Sequence, residues 1–268
     1  MKKIISIMLM LSLSAFVFAG CGAQKTESEA GSASPSPSVA PTKAPEGGKL
    51  VMGTNAEFEP FEYKDDKNEV VGFDVDMSKS VAVKAGKELK IEDMNFDSLI
   101  TALQSGKIDM AVAGMSVTEE RKQNVDFSDF YYVSKQVIVV KKGSAIKTKD
   151  DLKDKKVSVQ EGTTGDGMVT DDAGAAEVNR FKKGVDAAMD VVNGKSDAMV
   201  LDEEPSKRIV AANDSLEILP QEFDKEEYAI AVKKGNAELL TIINATIADM
   251  KKDGSYDQLI KKYFPDAE

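Results

Sequence analysis

Two stretches of this chain are versions of one pattern. Gln104-Ser105-Gly106-Lys107-Ile108-Asp109-Met110-Ala111-Val112-Ala113 returns 88 residues later as Val192-Asn193-Gly194-Lys195-Ser196-Asp197-Ala198-Met199-Val200-Leu201. Each reads as the end of a helix, a glycine cap, Lys-x-Asp and an apolar strand. Repeated strand–helix–strand units constrain the chain to an α/β fold of two similar lobes, each a mainly parallel sheet flanked by helices. Gly-Lys-x-Asp is also a common way to leave a helix, so the repeat alone leaves coincidence open. Ligands of such sheets sit at the carboxyl ends of strands. Here those ends are Ala113-Gly114 and Leu201-Asp202, which line a cleft if the lobes face each other.

The remaining elements fit this scheme. Leu50 to Thr54 reads as a buried strand, followed by a turn-prone stretch with Pro60. Asp74 is placed to cap a helix over Val75–Ala85 stopped by Gly86, and Asp97 one over Ser98–Gln104; Ile108–Ala113 follows as a strand. Asp186 is expected to cap the helix before the second copy. Asn236 opens a helix carrying Leu239, Leu240, Ile243, Ile247 and Met250 at helical spacing, and Gly254 closes it. A last helix uses Tyr256, Leu259, Ile260 and Tyr263; these side chains read as core.

The N-terminus points outside the cytoplasm. Met1-Lys2-Lys3 is basic, Ile4 to Phe18 is apolar, and Ala19-Gly20 is a small-residue cleavage site before Cys21, the one cysteine of the chain. This arrangement resembles the lipobox of bacterial lipoproteins, which implies cleavage and a diacylglycerol on the Cys21 sulfur. An ordinary secretory signal with an incidental cysteine is the competing reading. The apolar run falls short of the roughly 20 residues of a membrane span. Gly22 to Gly48, rich in Ser, Ala, Pro and Gly, buries too little to order itself and reads as a disordered linker. The expected layout is a signal peptide over 1–20, an anchored linker over 21–48 and a folded remainder.

Several chemistries are excluded by residue content. The net charge of −11 argues against nucleic acid and anionic lipid surfaces. With no histidine and one cysteine, imidazole or thiolate metal sites and Ser-His-Asp or Cys-His mechanisms fall away. No Gly-x-x-x-x-Gly-Lys loop is present. Neither a metal nor a cofactor is expected.

The candidate site residues lie at strand ends. In Ala113-Gly114-Met115-Ser116-Val117-Thr118-Glu119-Glu120-Arg121 a strand end meets a helix start, with Thr118 as cap. Arg121 in the first turn opposes the helix dipole. A guanidinium there can grip a planar carboxylate through two parallel hydrogen bonds, with Ser116 and free backbone N–H groups adding donors. A surface arginine paired with Glu119 or Asp126 is the plainer alternative. Gln160-Glu161-Gly162-Thr163-Thr164 is a second anion cradle or an ordinary strand-to-helix turn. Asp202 ends an apolar strand, as a partner for an ammonium group or as an acidic helix start with Glu203 and Glu204. Asn55, Glu57 and Phe58 follow the first strand, and Phe96 precedes the Asp97 helix; the two rings can sandwich a flat or cationic group or belong to the core.

Taken in order, these pieces resemble the periplasmic binding proteins of polar amino-acid ABC transporters, solute-binding protein family 3. The resemblance runs from Leu50 to Phe264. It is carried by Gly72-Phe73-Asp74-Val75-Asp76, Ser116 to Arg121 with Asp126-Phe127-Ser128, Tyr131-Tyr132, Gly162-Thr163-Thr164, Asp253-Gly254-Ser255-Tyr256 and Lys262-Tyr263-Phe264. It implies a two-lobed fold of the type II class with a two-strand hinge. Lobe 1 would span 49–132 and 229–268 and lobe 2 137–223, with the hinge near 132–136 and 224–228. It also implies roles. Arg121 would hold a ligand α-carboxylate with Ser116 and the amide and hydroxyl of Thr164. Asp202 would hold the α-ammonium with the Gly114 carbonyl, and Phe58 and Phe96 would wall the side-chain pocket. Met115, Gln160 and Thr163 complete the expected set.

Many relatives carry aspartate where Asn55 stands. An amide there suits a neutral ligand, whereas Glu57, Gln160 or Glu161 can restore polarity, leaving lysine, arginine or histidine slightly ahead of glutamine. The expectation is a monomeric, lipid-anchored receptor on the outer face of the cell membrane, not an enzyme, handing its ligand to an ABC permease. A sensor partner in the membrane is the second reading. A dehydratase of cyclohexadienyl acids, using Glu57 or Glu161 as general acid, is the third.

Overall fold

The computed structural model describes residues 47–220 and 223–265. The signal peptide, Cys21 and nearly all of the linker lie outside the described residues. The chain begins in β1 (Lys49–Thr54), and β2 (Glu57–Phe58), β3 (Glu62–Lys64) and β4 (Val70–Val71) form a small antiparallel sheet beside it. After α1 (Phe73–Lys84), β5 (Glu88–Asp93) pairs parallel with β1 from Lys49↔Glu88 to Thr54↔Asp93. A 3-10 turn over Phe96–Ser98 leads into α2 (Leu99–Ser105), and β6 (Met110–Ala111) joins the other side of β1, again parallel. The single turn α3 (Glu119–Lys122) precedes β7 (Val125–Lys141).

The second half repeats this build with β8 (Lys156–Gln160), α4 (Thr164–Asp171), β9 (Glu177–Phe181), α5 (Gly184–Val192) and β10 (Ala198–Asp202). β10, β8 and β9 run parallel. Then come α6 (Glu203–Ala211), β11 (Leu216–Ile218), β12 (Lys225–Lys233), α7 (Ala237–Asp253) and α8 (Ser255–Tyr263). The sheet order is β5-β1-β6-β12-β7-β10-β8-β9, with β11 on β7.

β7 belongs to both halves. Up to Lys135 it pairs antiparallel with β12, and from Gln136 it pairs antiparallel with β10, Gln136 opposite Asp202. The segments expected to form the hinge face each other directly, from Tyr132↔Tyr228 to Lys135↔Lys225, and the register shifts just beyond, at Tyr228/Ala229. Around this crossing Phe61 packs against Tyr132, Tyr228 and Phe264 at ring separations of 4.9, 5.2 and 5.1 Å. Leu239, Ile243, Ile247 and Met250 of α7 bury on the same core.

The repeated motif has one structural job in both places. The Asp109 carboxylate accepts from Val51 N–H at 2.7 Å while Asp109 N–H donates to the Val51 carbonyl at 2.8 Å. Asp197 does the same to Lys156, at 2.9 and 2.8 Å. Each aspartate pins the start of its strand to the parallel neighbour after a left-handed glycine, Gly106 (φ 74°) or Gly194 (φ 71°).

Some expected caps differ. Asp74 lies inside α1, which starts at Phe73 after Gly72, and its buried carboxylate takes the Gly114 N–H instead. Asp97 pairs with Lys182, and α5 opens at Lys183, leaving Asp186 in its first turn. The expected strand over Ile108–Ala113 shortens to Met110–Ala111 because Asp109 uses its donors and acceptors on Val51. Thr118 and Asn236 do cap α3 and α7, accepting from Arg121 and Leu239 N–H.

Asp109→Ala should lower stability by about 1–3 kcal/mol, the cost of losing a charge-assisted bond to a half-buried N–H. Asp197→Ala, whose carboxylate water can replace, should cost under about 1 kcal/mol. Urea midpoints at constant m-value measure both.

Candidate functional site

The carboxyl ends of β1, β6, β8 and β10 converge on a nearly closed cavity of ≈ 10 Å³. Asn55 follows β1, Ala113 and Gly114 follow β6, Gln160 ends β8 and Asp202 ends β10; all line it, as do Phe58, Glu62, Phe96, Ser116, Arg121, Thr163 and Thr164. A wider depression lined by Lys149, Leu152, Met168 and Phe223 lies elsewhere. Its buried lining residues, Leu152 and Val169, are apolar, and its charged ones are exposed.

Arg121 is the cation of the cavity. It is 8% exposed, and Glu119 and Asp126 pair with Lys122 and Lys234 instead. With Thr118 capping the turn, its guanidinium folds back. Nη1 donates to the Ser116 carbonyl at 2.6 Å and Nη2 to the Gly162 carbonyl at 3.0 Å, while Cζ sits 5.3 Å from the Phe96 ring centroid. Burial pulls its pKa below the ordinary value, and Glu226 and Asp202 push back. Gly114 has φ +51°, and a Cβ there would meet Phe58 Cε1 at 2.7 Å, so only glycine brings its backbone so close to the ring.

Asp202 is the anion across the same cavity, 3% exposed. It ends β10 and stands at the start of α6, but its side chain caps nothing. It accepts from the Tyr228 hydroxyl and, at 3.5 Å, from Ser134. Burial and the Glu226 charge push its pKa up to about 7, against the Tyr228 bond and Arg121.

At the far end Gln160 Nε2 donates to Asn55 Oδ1 at 2.8 Å, and Asn55 Nδ2 to the Met94 carbonyl at 3.1 Å. Phe58 and Phe96 are buried as walls. Thr163 caps α4 and donates to the Gln160 carbonyl, so this cradle is an ordinary turn as well as cavity lining. Contacts joining the two halves ring the site: Arg121–Gly162, Asn55–Gln160, Lys182–Asp97 at 2.9 Å and Lys183–Glu57 at 2.6 Å.

Two expected lining residues fall elsewhere. Glu57 faces outward to Lys183, because successive strand residues point to opposite sides and Phe58 takes the inner one. Met115 is fully buried in the core beneath Gly114 and Ser116. The Ser116 and Thr164 hydroxyls also differ from expectation: both donate to Glu226 Oε2, at 2.5 and 2.7 Å. What remains for an anion is the Arg121 fork, the Thr164 N–H at the start of α4, and the Ser116 N–H, which its bridge to Tyr228 leaves out.

Glu226 and Glu62 escape sequence reading. Glu226 sits in the charged run Lys225-Glu226-Glu227, and Glu62 between Phe61 and Tyr63 looks like any strand carboxylate. Only the apolar neighbours of Glu62 hint at its burial. It is 0% exposed, with neither oxygen partnered.

The site holds more buried acid than base. Burial lifts Glu62 well above its ordinary pKa, with Asp74 and Asp202 adding to the lift, and lifts Asp74 to about 6. Carboxyls raised in the folded state keep protons that the unfolded chain loses above about pH 4. Stability therefore falls as pH rises from there through about 7, each such carboxyl costing up to about 1.4 kcal/mol per pH unit crossed. The ligand-free protein should show a higher urea midpoint at about pH 5 than at about pH 8, and Asp202→Asn should shrink that difference. A midpoint that climbs with pH in both proteins would contradict this balance.

Comparison with known proteins agrees with this geometry. The profile of the bacterial extracellular solute-binding proteins, family 3, matches residues 50–266. The arginine-binding extracellular protein ArtP of Bacillus subtilis is 36% identical over 228 residues, covering 81% of this chain and 86% of that protein. A probable histidine-binding protein of Campylobacter jejuni is 39% identical over 220 residues, covering 80% and 84%. The crystal structure of the substrate binding protein of an amino acid ABC transporter superposes with a TM-score of 0.77 at 41% identity, covering 81% of this chain and 99% of that one. With its fold and its strand-end cavity, the chain belongs to family 3 of the bacterial extracellular solute-binding proteins.

Proposed function

We propose that this protein is the extracytoplasmic receptor of an amino-acid ABC importer and captures a polar L-α-amino acid between its lobes. The observation that carries the reading is one cavity holding a buried guanidinium, Arg121, and a buried carboxylate, Asp202. A desolvated zwitterion needs both its charges matched, and these two side chains match them. Its carboxylate takes the Arg121 fork with the Thr164 and Ser116 N–H groups. Its ammonium takes Asp202 and the Gly114 carbonyl. The side chain runs between Phe58 and Phe96 toward the Asn55–Gln160 amides.

Ligand preference follows from charge. The amide end alone suits glutamine. Glu62 and Asp202 line the cavity against Arg121, an excess of acid that favours a ligand of net positive charge, arginine, lysine or histidine. The relatives named for arginine and histidine support the same choice. Glu57 and Glu161, the general acids expected of a dehydratase, sit outside the cavity on Lys183 and Lys182, which disfavours dehydration through either of them.

The lobes comprise 49–132 with 229–268 and 137–223, and β7 and β12 bend near 132–136 and 224–228 when they close. Arg121 is tied to carbonyls of both halves, so ligand binding and closure share one contact set. Cys21 carries the lipid that holds this monomer beside its permease.

A thermal-shift screen against the twenty amino acids should give its largest rise with arginine, lysine or histidine, since saturating ligand stabilises by RT ln(1 + [L]/Kd). No shift with any of them would end the receptor reading. Arg121→Ala should weaken binding by about 3 kcal/mol or more in calorimetry with unchanged circular dichroism. Cys21→Ser should abolish palmitate labelling and move the protein from the membrane fraction to the medium.

A further inference from the structure

Glu62 is the one fully buried acid in the cavity lining whose oxygens, both of them, have no hydrogen-bond donor among the described residues. β3 holds it there, with Glu62 opposite Phe58 in the register with β2. Asp74 of α1 lies beside it, its N–H held at 2.9 Å by the carbonyl of the adjacent Phe61. One Asp74 oxygen accepts from Gly114 N–H at 2.9 Å and Tyr131 OH at 2.8 Å, and the other, Oδ1, has no donor. Three orphaned carboxylate oxygens are thus buried side by side. The other charged groups facing Glu62 are Asp202 of β10 and Asp93 of β5, again acids. Tyr131 of β7 and Tyr228 of β12 spend their hydroxyl protons on Asp74 and Asp202.

Two ionised carboxylates cannot bond each other, whereas a carboxylic acid donates to a carboxylate and satisfies both. We propose that Glu62 and Asp74 share one proton in the ligand-free protein, and that an ammonium group entering between Asp202 and Glu62 expels it to solvent. Capture is then an exchange of a proton for the ligand's α-ammonium group, and Glu62 is a residue that requires an amine, rather than a neutral group, at that end of the cavity. The balance is simple. The Glu62 O–H bond breaks, its electron pair stays on the carboxylate and its proton passes to buffer, no bond between heavy atoms changes, and the site keeps its net charge when the ammonium group arrives. This rests on the receptor reading for the identity of the cation but not for the shared proton.

Infrared difference spectroscopy reads the proton directly. At about pH 8, above the value of about 7 for Asp202, the ligand-free protein should show a protonated carboxyl band. Saturating L-arginine should remove it, and Glu62→Gln should lack it. Calorimetry with L-arginine in phosphate and in Tris then counts the released proton, on the order of one per ligand in the parent and under about a quarter of that in Glu62→Gln. The amide can still donate to Asp74 in place of the acid, so this variant should fold and should bind about tenfold more weakly. No carboxyl band in the ligand-free parent at that pH overturns the shared proton, whatever binds. Equal proton release by parent and variant overturns the exchange. If neither L-arginine nor L-glutamine binds, the receptor reading and the exchange fail together, while the band still reports on the pair.

Discussion

A guanidinium removed from water governs the architecture of this site. Arg121 is buried in a turn of helix whose Glu119 pairs with Lys122, so its charge is met chiefly by carbonyl dipoles and by acids of other elements. The Ser116 carbonyl comes from the segment leaving β6, and the Gly162 carbonyl from the turn leaving β8. The second is available only because Gly162 adopts φ +79° beside Asp97, where a side chain would crowd the opposite half. The arginine therefore measures whether the halves have met. Here both carbonyls are in place; an opening of the proposed lobes would take the Gly162 carbonyl away.

The opposing charges are arranged with less economy. Asp202 and Glu226 offset Arg121, but Glu62 and Asp74 have no buried cation facing them. Desolvation of unpaired carboxylates is among the costlier choices a fold can make. A site built only for stability would replace them with apolar residues. Retaining them keeps the cavity short of positive charge and makes an entering ammonium group favourable. The expected cost is lower stability at neutral than at mildly acidic pH, a common compromise at functional sites.

Much of this is legible in the chain, for definite reasons. The two Gly-Lys-x-Asp copies announce two α/β halves because the aspartate performs a backbone task that nothing else at that position performs. Arg121 stands out because a cation in a first helical turn is locally wrong. The cap of Thr118 and the cap of Asn236 are local bonds, and local sequence is enough to find them. Sequence falls short where direction depends on pleat. Glu57 and Phe58 are adjacent, so only one can face inward, and their order does not say which. The caps expected of Asp74 and Asp97 do not form because tertiary partners, Gly114 and Lys182, outcompete the local bond. Glu62 and Glu226 are invisible for the same reason. A carboxylate becomes a cavity wall through what packs around it.

The strand β12 explains how the two poles act together. Glu226 and Tyr228 are two residues apart and so project from one face of the strand. Glu226 gathers the hydroxyls of Ser116 and Thr164 beside Arg121, and Tyr228 donates to Asp202. One short segment thus supports both the cationic and the anionic pole, and it is the segment that pairs with β7 where the sheet passes from one half to the other. The register shift just after Tyr228 frees the backbone to turn at that point. A rotation about this crossing cannot move one pole's support without moving the other's. On the proposed receptor reading, recognition of opposite charges on one small ligand and the bend that encloses it become a single mechanical event.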